Sequence, residues 1–277
     1  MKRFFALFLL LALSLALLSA CKDNGGGDVS SVDSGESGPA TVKVTFAEGL
    51  TIAQFAKRLE DKGVCSAEEF INTCNNVDFS EQFSFLPSFD SLADRPYKLE
   101  GYLFPDTYEF FAPEGAESVI KRFLRNFESR VNEEIMADIN SSDYSLDEII
   151  TLAAIVERET PSQSEMDKVA AVFFNRLRNK KEYPRLQSDA TKYYPYVYGD
   201  TLPDGFESEY NTYNVKGLPK GPICAPSLAA IKGCVYPDGD TDAYFFYTDK
   251  NGKHYYAKTY KNHLKNIQYC KDNGLAG

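Results

Sequence analysis

The segment from Ser145 to Pro161, SLDEIITLAAIVERETP, sets the strongest limit on how this chain can fold. Apolar residues recur in it at helical spacing and continue around the other side, which predicts a helix buried on nearly every face. Ser145 and Glu148 form the signature of a capping box at its start, and Pro161 ends it. The rest of the core is therefore expected to be built around this helix.

The predicted helix ends in three charged residues, Glu157, Arg158 and Glu159. Burial and the negative end of the helix dipole both disfavour a charged carboxylate there, so such a carboxyl can stay protonated and act as a general acid. The alternative is a helix end that emerges into water, with Arg158 paired to an acid. Because residues two apart face different sides of a helix, Glu157 and Glu159 are not expected to share one site.

The N-terminal residues predict export from the cytoplasm. Lys2 and Arg3 precede an apolar run at residues 4–18, and the sequence LSAC follows at residues 18–21. This pattern is typical of a secretory signal peptide, here residues 1–20, and LSAC resembles the lipobox of bacterial lipoproteins.

The resemblance to a lipobox implies that Cys21 is lipidated and becomes the first residue of the mature chain. Residues 21–40 are rich in Gly, Ser and Asp, a composition that predicts a flexible tether. The alternative is an uncleaved anchor helix. Either way, the folded part is expected at the extracytoplasmic face of a bacterial cell membrane.

The charge of the chain argues against one class of partner. Its formal net charge is −10, which disfavours a polyanion such as nucleic acid. The spacing of Cys and His does not match a metal site, so neither a metal nor a cofactor is expected.

The cysteines other than Cys21 are odd in number, so at least one is predicted to be unpaired within the chain. Cys65 with Cys74, and Cys224 with Cys234, are candidate disulfides. The favoured interpretation is that these residues and Cys270 are small buried hydrophobic side chains.

The folded part is predicted to be α+β, beginning with a small βαα module at residues 41–77. A strand is expected at Thr41–Phe46, a helix at Thr51–Asp61, and a second helix opened by a capping box at Ser66–Glu69. This order resembles a LysM-like module, a small fold that binds glycan chains. A structural adaptor is the alternative.

Four segments follow the module. Asp78–Pro96 has no clear hydrophobic periodicity and is expected to be a loop. Leu99–Phe111 predicts a strand, a turn and a short extended piece. Glu114–Asn140 predicts one long amphipathic helix, and Ser164–Asn179 predicts a capped helix.

The C-terminal region predicts a β-hairpin and a closing helix. Apolar and polar residues alternate in Ala243–Thr248 and in Lys253–Lys258, on either side of an Asn-Gly turn. Apolar residues in Tyr260–Lys271 recur at helical spacing. The two histidines of the chain, His254 and His263, lie in this region and are interpreted as structural.

Two polar stretches are candidates for functional loops, and the composition of the first suits a sugar-binding cleft. Residues 184–198 combine four side chains that can form hydrogen bonds with neighbouring tyrosines, and residues 210–226 contain closely spaced glycines and prolines typical of an ordered loop. For the first stretch, a solvated loop is the alternative.

Five segments together carry a resemblance to a known family. In chain order they are LEGYLFPDTYEF at 99–110, IVERET at 155–160, DKVAAVFFNRL at 167–177, LQSDATKYY at 186–194 and YNTYNVKGLPKGPICAP at 210–226. They resemble the endolytic murein transglycosylases, the MltG or YceG-like family, over about residues 43–269. The implied fold is the LysM-like module followed by a mixed α/β YceG-like catalytic domain at 78–277.

The resemblance implies a lyase that cuts peptidoglycan glycan strands internally. Such an enzyme breaks the β-1,4 bond between MurNAc and GlcNAc, leaves a 1,6-anhydro-MurNAc end, and is expected to terminate strand elongation beside the cell-wall synthesis machinery. By similarity, Glu159 is the catalytic acid and Glu157 is a supporting or structural acid, assigned to the substrate-binding residues. The other substrate contacts, assigned by motif position and polarity, are Gln187, Ser188, Asp189, Thr191, Tyr210, Asn211 and Thr212.

The sequence departs from the family pattern in a few places. Ala190 stands where family members typically have proline, and Cys224 and Cys234 stand where small apolar residues are expected. Two other functions remain open at this point, namely a non-catalytic peptidoglycan-binding lipoprotein scaffold and a hydrolase of muramidase type.

Overall fold

The computed structural model of this protein describes residues 40–197 and 200–276. The predicted signal peptide, the lipidation site at Cys21 and all but the last residue of the tether lie outside the described residues. Within these ranges, no helix is both long enough and apolar enough to cross a membrane.

The predicted strand and two helices are present at the start of an α+β fold. Strand β1 (Thr41–Thr45) is followed by helices α1 (Ile52–Asp61) and α2 (Ala67–Asn76). β1 pairs antiparallel with β2 (Thr107–Phe111), with Thr41 opposite Phe111. The βαα unit therefore shares its sheet with a strand that lies beyond residue 77.

An aromatic core holds this sheet against the helices. Phe46 stacks on Phe55 of α1 with ring centroids 4.5 Å apart. Phe123, from helix α3 (Ala116–Arg130), lies 4.5 Å from Tyr108 of β2 and 5.0 Å from Phe46. Burial of several such rings is a large apolar contribution to the stability of this half of the protein.

The prediction for Leu99–Phe111 is wrong in its first part, because residues 99–103 form turns and only β2 is a strand. Gly101 has φ +85, and a Cβ added there would lie 2.6 Å from Pro222. The backbone therefore turns tightly against a distant loop. This turn carries Glu100 into the interior, where both carboxylate oxygens accept from the N–H of Ile52 at 3.1 and 3.2 Å.

The single long helix predicted over Glu114–Asn140 is also wrong. The structure has two helices, α3 and then α4 (Glu133–Asn140), separated at Val131 and Asn132. The Asn132 side chain accepts from the N–H of Ile135 at 3.1 Å and so caps α4. The apolar spacing continues across this break, which explains why the pattern resembled one helix.

The capping box predicted at Ser66–Glu69 forms only in part. Ser66 Oγ accepts from the N–H of Glu69 at 3.1 Å, but the Glu69 carboxylate instead accepts from the N–H of Ala116, at 3.2 Å. Glu69 thus satisfies a free N–H at the start of α3, a neighbouring helix. A complete capping box does form at Thr51 and Gln54, which the sequence analysis missed.

The central helix is confirmed as α5 (Leu146–Glu159), with the predicted capping box at Ser145 and Glu148. Its neighbours are α6 (Met166–Arg178) and α7 (Leu228–Val235). α6 begins two residues later than predicted, after a 3₁₀ turn, and it has no side-chain cap. Every residue of α5 from Ile149 to Val156 is buried.

The predicted hairpin and last helix are present as β3 (Phe245–Thr248), β4 (His254–Ala257) and α8 (Tyr260–Asp272). β3 pairs antiparallel with β4, with Phe245 opposite Ala257.

The five described cysteines are free thiols, so neither candidate disulfide forms. The thiol of Cys224 donates to the carbonyl of Ala154 at 3.3 Å, and burial raises the pKa of both Cys224 and Cys234. Four of these residues are buried, as the favoured interpretation expected, and Cys65 is half-buried.

Candidate active site

Glu159, the last residue of α5, lies at the wall of a pocket of about 570 Å³. Its side chain is half-buried, and its Oε1 accepts a hydrogen bond from Ser188 Oγ at 2.5 Å. The buried helix thus delivers a single carboxyl to a polar opening.

The surroundings of Glu159 raise its pKa above the ordinary value. Burial is the largest cause, and the negative charge of Asp189 acts in the same direction. The Ser188 hydroxyl, the N–H of Ala190 and the positive charge of Arg176 oppose the shift by favouring the charged form. The carboxyl therefore keeps its proton to a higher pH than in water and has partners ready for its anion.

Two buried threonine side chains fix the loop that carries Ser188. Thr212 Oγ1 accepts from the N–H of Ser188 at 2.9 Å, and Thr191 Oγ1 donates to the Ser188 carbonyl at 2.8 Å. Thr191 Oγ1 also accepts from the N–H of Thr212 at 3.0 Å. The threonines hold the two polar stretches together and so position the Ser188 hydroxyl against Glu159.

Gln187 takes the left-handed backbone conformation, with φ +56. This region is disfavoured for a residue other than glycine by roughly 1 kcal/mol or more, and such residues cluster at functional sites. Its N–H donates to the Thr212 carbonyl at 3.2 Å, and its exposed side chain lines the pocket.

Arg176 of α6 forms hydrogen bonds with the same loop. Its Nη1 donates to the Leu186 carbonyl at 2.7 Å, and its Nε donates to the Tyr244 carbonyl at 2.6 Å. Nη1 also lies 3.4 Å from Gln187 Oε1. One buried guanidinium that lines the pocket therefore connects α6 to the loop at residues 186–187 and to Tyr244, the residue before β3.

Aromatic side chains form another part of the pocket wall. Tyr213 comes from the 210–226 loop, Phe245 and Tyr247 come from β3, and Tyr260 and His263 come from α8. Flat rings beside polar groups are the surfaces on which sugar rings stack, so the wall suits a carbohydrate.

The sequence profile of the YceG-like family matches residues 29–269. This chain belongs to the YceG-like family. The match includes the helix that ends at Glu159, both polar stretches and the C-terminal hairpin.

Relatives and a solved structure agree with this assignment. The chain is 31% identical over 252 residues to the endolytic murein transglycosylase of Bacillus subtilis (strain 168), covering 86% of this chain and 67% of that protein. It is 29% identical over 250 residues to the endolytic murein transglycosylase of Streptococcus pneumoniae serotype 2 (strain D39), covering 83% of this chain and 44% of that protein. The chain thus spans less than half of the streptococcal relative.

A 2.6 Å crystal structure of a yceG-like protein from Listeria monocytogenes superposes with a TM-score of 0.70 at 27% identity. It covers 83% of this chain and 76% of that chain.

The predicted site residues of this YceG-like protein divide into those at the pocket and those behind it. Glu159, Gln187 and Asp189 line the pocket. Asp189 is exposed, and its pKa is lowered chiefly by Lys192, whose Nζ lies 2.6 Å from Asp189 Oδ1. Tyr213 OH donates to the same oxygen at 2.9 Å.

Three other predicted residues point elsewhere. Glu157 accepts from the N–H of Ser227 at 2.9 Å, on the side of α5 that faces the start of α7. Tyr210 packs on Tyr194 with centroids 4.6 Å apart and lines a different pocket. Asn211 Oδ1 accepts from the N–H of Tyr213 at 3.0 Å and thereby shapes its own loop.

Sequence reasoning missed Arg176 and the aromatic wall. A signal for Arg176 was present, because this cation lies seven residues after Val169 and three after Phe173, on the apolar face of α6. An arginine at an inward position is rarely found without a partner. No group of three or more His, Cys, Asp or Glu side chains in the described part of the chain is arranged to hold a metal ion.

Proposed function

We propose that this YceG-like protein is an endolytic peptidoglycan lytic transglycosylase. It cleaves the β-1,4 bond between MurNAc and GlcNAc within glycan strands and leaves 1,6-anhydro-MurNAc ends. The observation that carries the proposal is Glu159, a carboxyl with a raised pKa at the wall of a pocket that has an aromatic side. Two relatives named endolytic murein transglycosylase support it.

The proposed reaction uses Glu159 twice. The protonated carboxyl donates its proton to the glycosidic oxygen, and the C1–O bond to the leaving GlcNAc breaks. The resulting carboxylate then takes the proton from the C6 hydroxyl of MurNAc, whose oxygen forms a bond to C1 of the same sugar. Glu159 ends protonated, as it began, and no water is consumed.

The neighbours of Glu159 suit the intermediate stage of this cycle. Ser188 Oγ donates to the carboxylate, and the charge of Arg176 favours the anion. A hydrogen bond to a charged group is worth roughly 1.5–3 kcal/mol, so the anion is stabilised when it forms. The proton taken from the C6 hydroxyl restores the neutral acid, the form that burial favours.

The alternative of a muramidase-type hydrolase requires a second carboxylate as base or nucleophile. Asp189 is the other carboxylate at this pocket. Its Oδ1 is bound by both Lys192 and Tyr213, which favours the cycle with one carboxyl over hydrolysis.

Product analysis tests the proposal. Purified protein is incubated with uncross-linked glycan strands in ¹⁸O-labelled water, and the products are identified by mass spectrometry. We expect anhydro ends without label. Labelled reducing ends would indicate a hydrolase, and absence of any product would indicate a scaffold that only binds the wall.

We also propose how this activity is placed in the cell. Cys21 is lipidated, residues 21–40 tether the enzyme at the extracytoplasmic face, and the LysM-like unit at 41–77 contacts glycan. The enzyme then ends nascent strands beside the cell-wall synthesis machinery. The LSAC sequence and the composition of the tether support the anchor, and metabolic labelling with palmitate tests it.

A further inference from the structure

A second pocket adjoins the first at the end of α5. It has a volume of about 320 Å³, and its lining includes Arg158, Lys192 and Tyr196. Asp189 lines both pockets, and Arg158 directly precedes Glu159 in the chain. Two consecutive residues at the end of α5 therefore line two different pockets, Arg158 the second and Glu159 the first.

The second pocket carries positive charge in an acidic protein. Its charged lining residues are two cations, Arg158 and Lys192, and one carboxylate, Asp189. Lys192 is paired with Asp189 at 2.6 Å, so the excess of one positive charge belongs to Arg158. The chain as a whole has a formal net charge of −10. A local excess of positive charge in such a chain favours an anionic ligand.

Arg158 is available to such a ligand. Its side chain is exposed, and its Nη1 donates to the Gly49 carbonyl at 3.2 Å. It forms no ion pair with an acid of the described ranges. A guanidinium has five N–H donors in a planar fork that matches a carboxylate, so donors remain after the contact with Gly49.

The other side of the pocket is less polar. Ala190, Tyr196 and Val197 contribute half-buried side chains there. A ligand that combines carboxylates with small apolar groups fits this lining.

We propose that the second pocket binds the acidic peptide stem attached to the lactyl group of the muramic acid being cleaved. This inference rests on the proposed function, because that function places the muramic acid beside Glu159. A stem consists of small alanine side chains and free carboxylates, the chemistry that the pocket presents. Four extended residues span roughly 13 Å, enough to cross from one pocket to its neighbour.

The experiment compares two substrates. Uncross-linked glycan strands with intact stems, and the same strands stripped of stems by an amidase, are cleaved by the wild type and by Arg158→Gln. We expect the ratio of kcat/KM on stem-bearing strands to kcat/KM on stripped strands to fall about tenfold in the variant, since a hydrogen bond to a charged group is lost. Arg158→Lys, which keeps the charge, is expected to retain most of the ratio.

Arg125→Gln is the matched control, because Arg125 is an exposed arginine on α3 and its replacement changes the net charge equally. Its ratio should equal that of the wild type. An Arg158→Gln variant with an unchanged ratio, including one that loses activity equally on both substrates, would overturn the proposal.

A binding measurement separates this proposal from the proposed function. Isothermal titration of the wild type with a synthetic stem tetrapeptide, free of sugar, requires no catalysis. We expect binding that weakens about tenfold in Arg158→Gln and is unchanged in Arg125→Gln. If stems bind in this way but strands are not cleaved, the lyase assignment fails and the pocket assignment stands; if the tetrapeptide does not bind, the pocket assignment fails.

Discussion

Two carboxyl groups of this protein, Glu100 and Glu159, both have pKa values raised chiefly by burial. Each also accepts a hydrogen bond from a hydroxyl, Tyr194 OH at 3.2 Å in one case and Ser188 Oγ at 2.5 Å in the other. Their surroundings otherwise differ. Glu100 is 1% exposed and bonded to the first N–H of α1, whereas Glu159 lies at an open pocket.

The difference shows that a raised pKa does not by itself identify a catalytic acid. Glu100 joins α1 to the segment that carries Tyr194, so its carboxyl group serves the fold. Glu159 combines a retained proton with access for a substrate and with donors that stabilise its anion. Because Glu100 also accepts hydrogen bonds that favour its anion, access for a substrate is what distinguishes the two.

The largest effect is expected for Glu159→Gln. The variant has no acid at the pocket, and general acid catalysis contributes about 10²–10⁴-fold, so we expect turnover of glycan strands to fall by about 10³-fold. Stability should be unchanged or slightly higher, because a partly buried carboxyl is removed. Initial rates and urea unfolding measure the two quantities.

Glu157→Gln is the control for that experiment, since it is the same substitution two residues earlier on the other side of α5. A glutamine oxygen can still accept from the N–H of Ser227. Turnover close to that of the wild type is expected; a loss as large as in Glu159→Gln would show that the pocket does not identify the working acid.

A smaller effect is expected for Ser188→Ala. The Ser188 hydroxyl favours the charged form of Glu159 and therefore lowers its pKa. Without it, the carboxyl stays protonated to higher pH. The decrease of activity with rising pH should therefore occur at a higher pH than in the wild type. Turnover should fall about tenfold, because the anion loses a hydrogen bond. A pH profile of kcat/KM checks the direction, and a downward shift would contradict it.

The effect expected for Glu100 concerns stability and leaves turnover unaffected. Burial raises its pKa from 4.5 to about 8 in the folded protein. Between these values the folded state binds more protons than the unfolded state, so the free energy of unfolding falls as pH rises from 5 to 8. Glu100→Gln should remove this dependence, which is up to about 1.4 kcal/mol per pH unit.

Urea unfolding at pH 5 and pH 8 measures the change. The exposed Glu68→Gln variant serves as control and should keep the slope of the wild type. Equal slopes in Glu100→Gln and in the wild type would mean that Glu100 is ionised in the folded state.

Local signals predicted the centre of the fold. The capping box of Ser145 and Glu148, the all-round apolar helix and its charged end led to α5 and to Glu159. These features depend on residues within a few positions of one another, where helical geometry fixes which side chains meet. For the same reason, the hairpin around Asn251 could be predicted.

Contacts between distant residues could not be predicted. Arg176 reaches the carbonyl of Tyr244, 68 residues away, and Tyr213 reaches Asp189, 24 residues away. The break at Asn132 was missed because the apolar period continues through it and only the side-chain cap interrupts the helix. The sequence around Glu100 predicts a strand, whereas the structure has a turn there because Gly101 packs against the distant Pro222.

The short ladder between β1 and β2 has a mechanical consequence. β1 directly follows the proposed tether, and the ladder reaches back to Ala40, whose carbonyl accepts from the N–H of Ala112 at 2.9 Å. If Cys21 is anchored in lipid while a glycan is bound at Glu159, tension between membrane and wall is applied to the folded domain at this five-residue strand. The strand, and not the helical core, is then the first structure to bear the load.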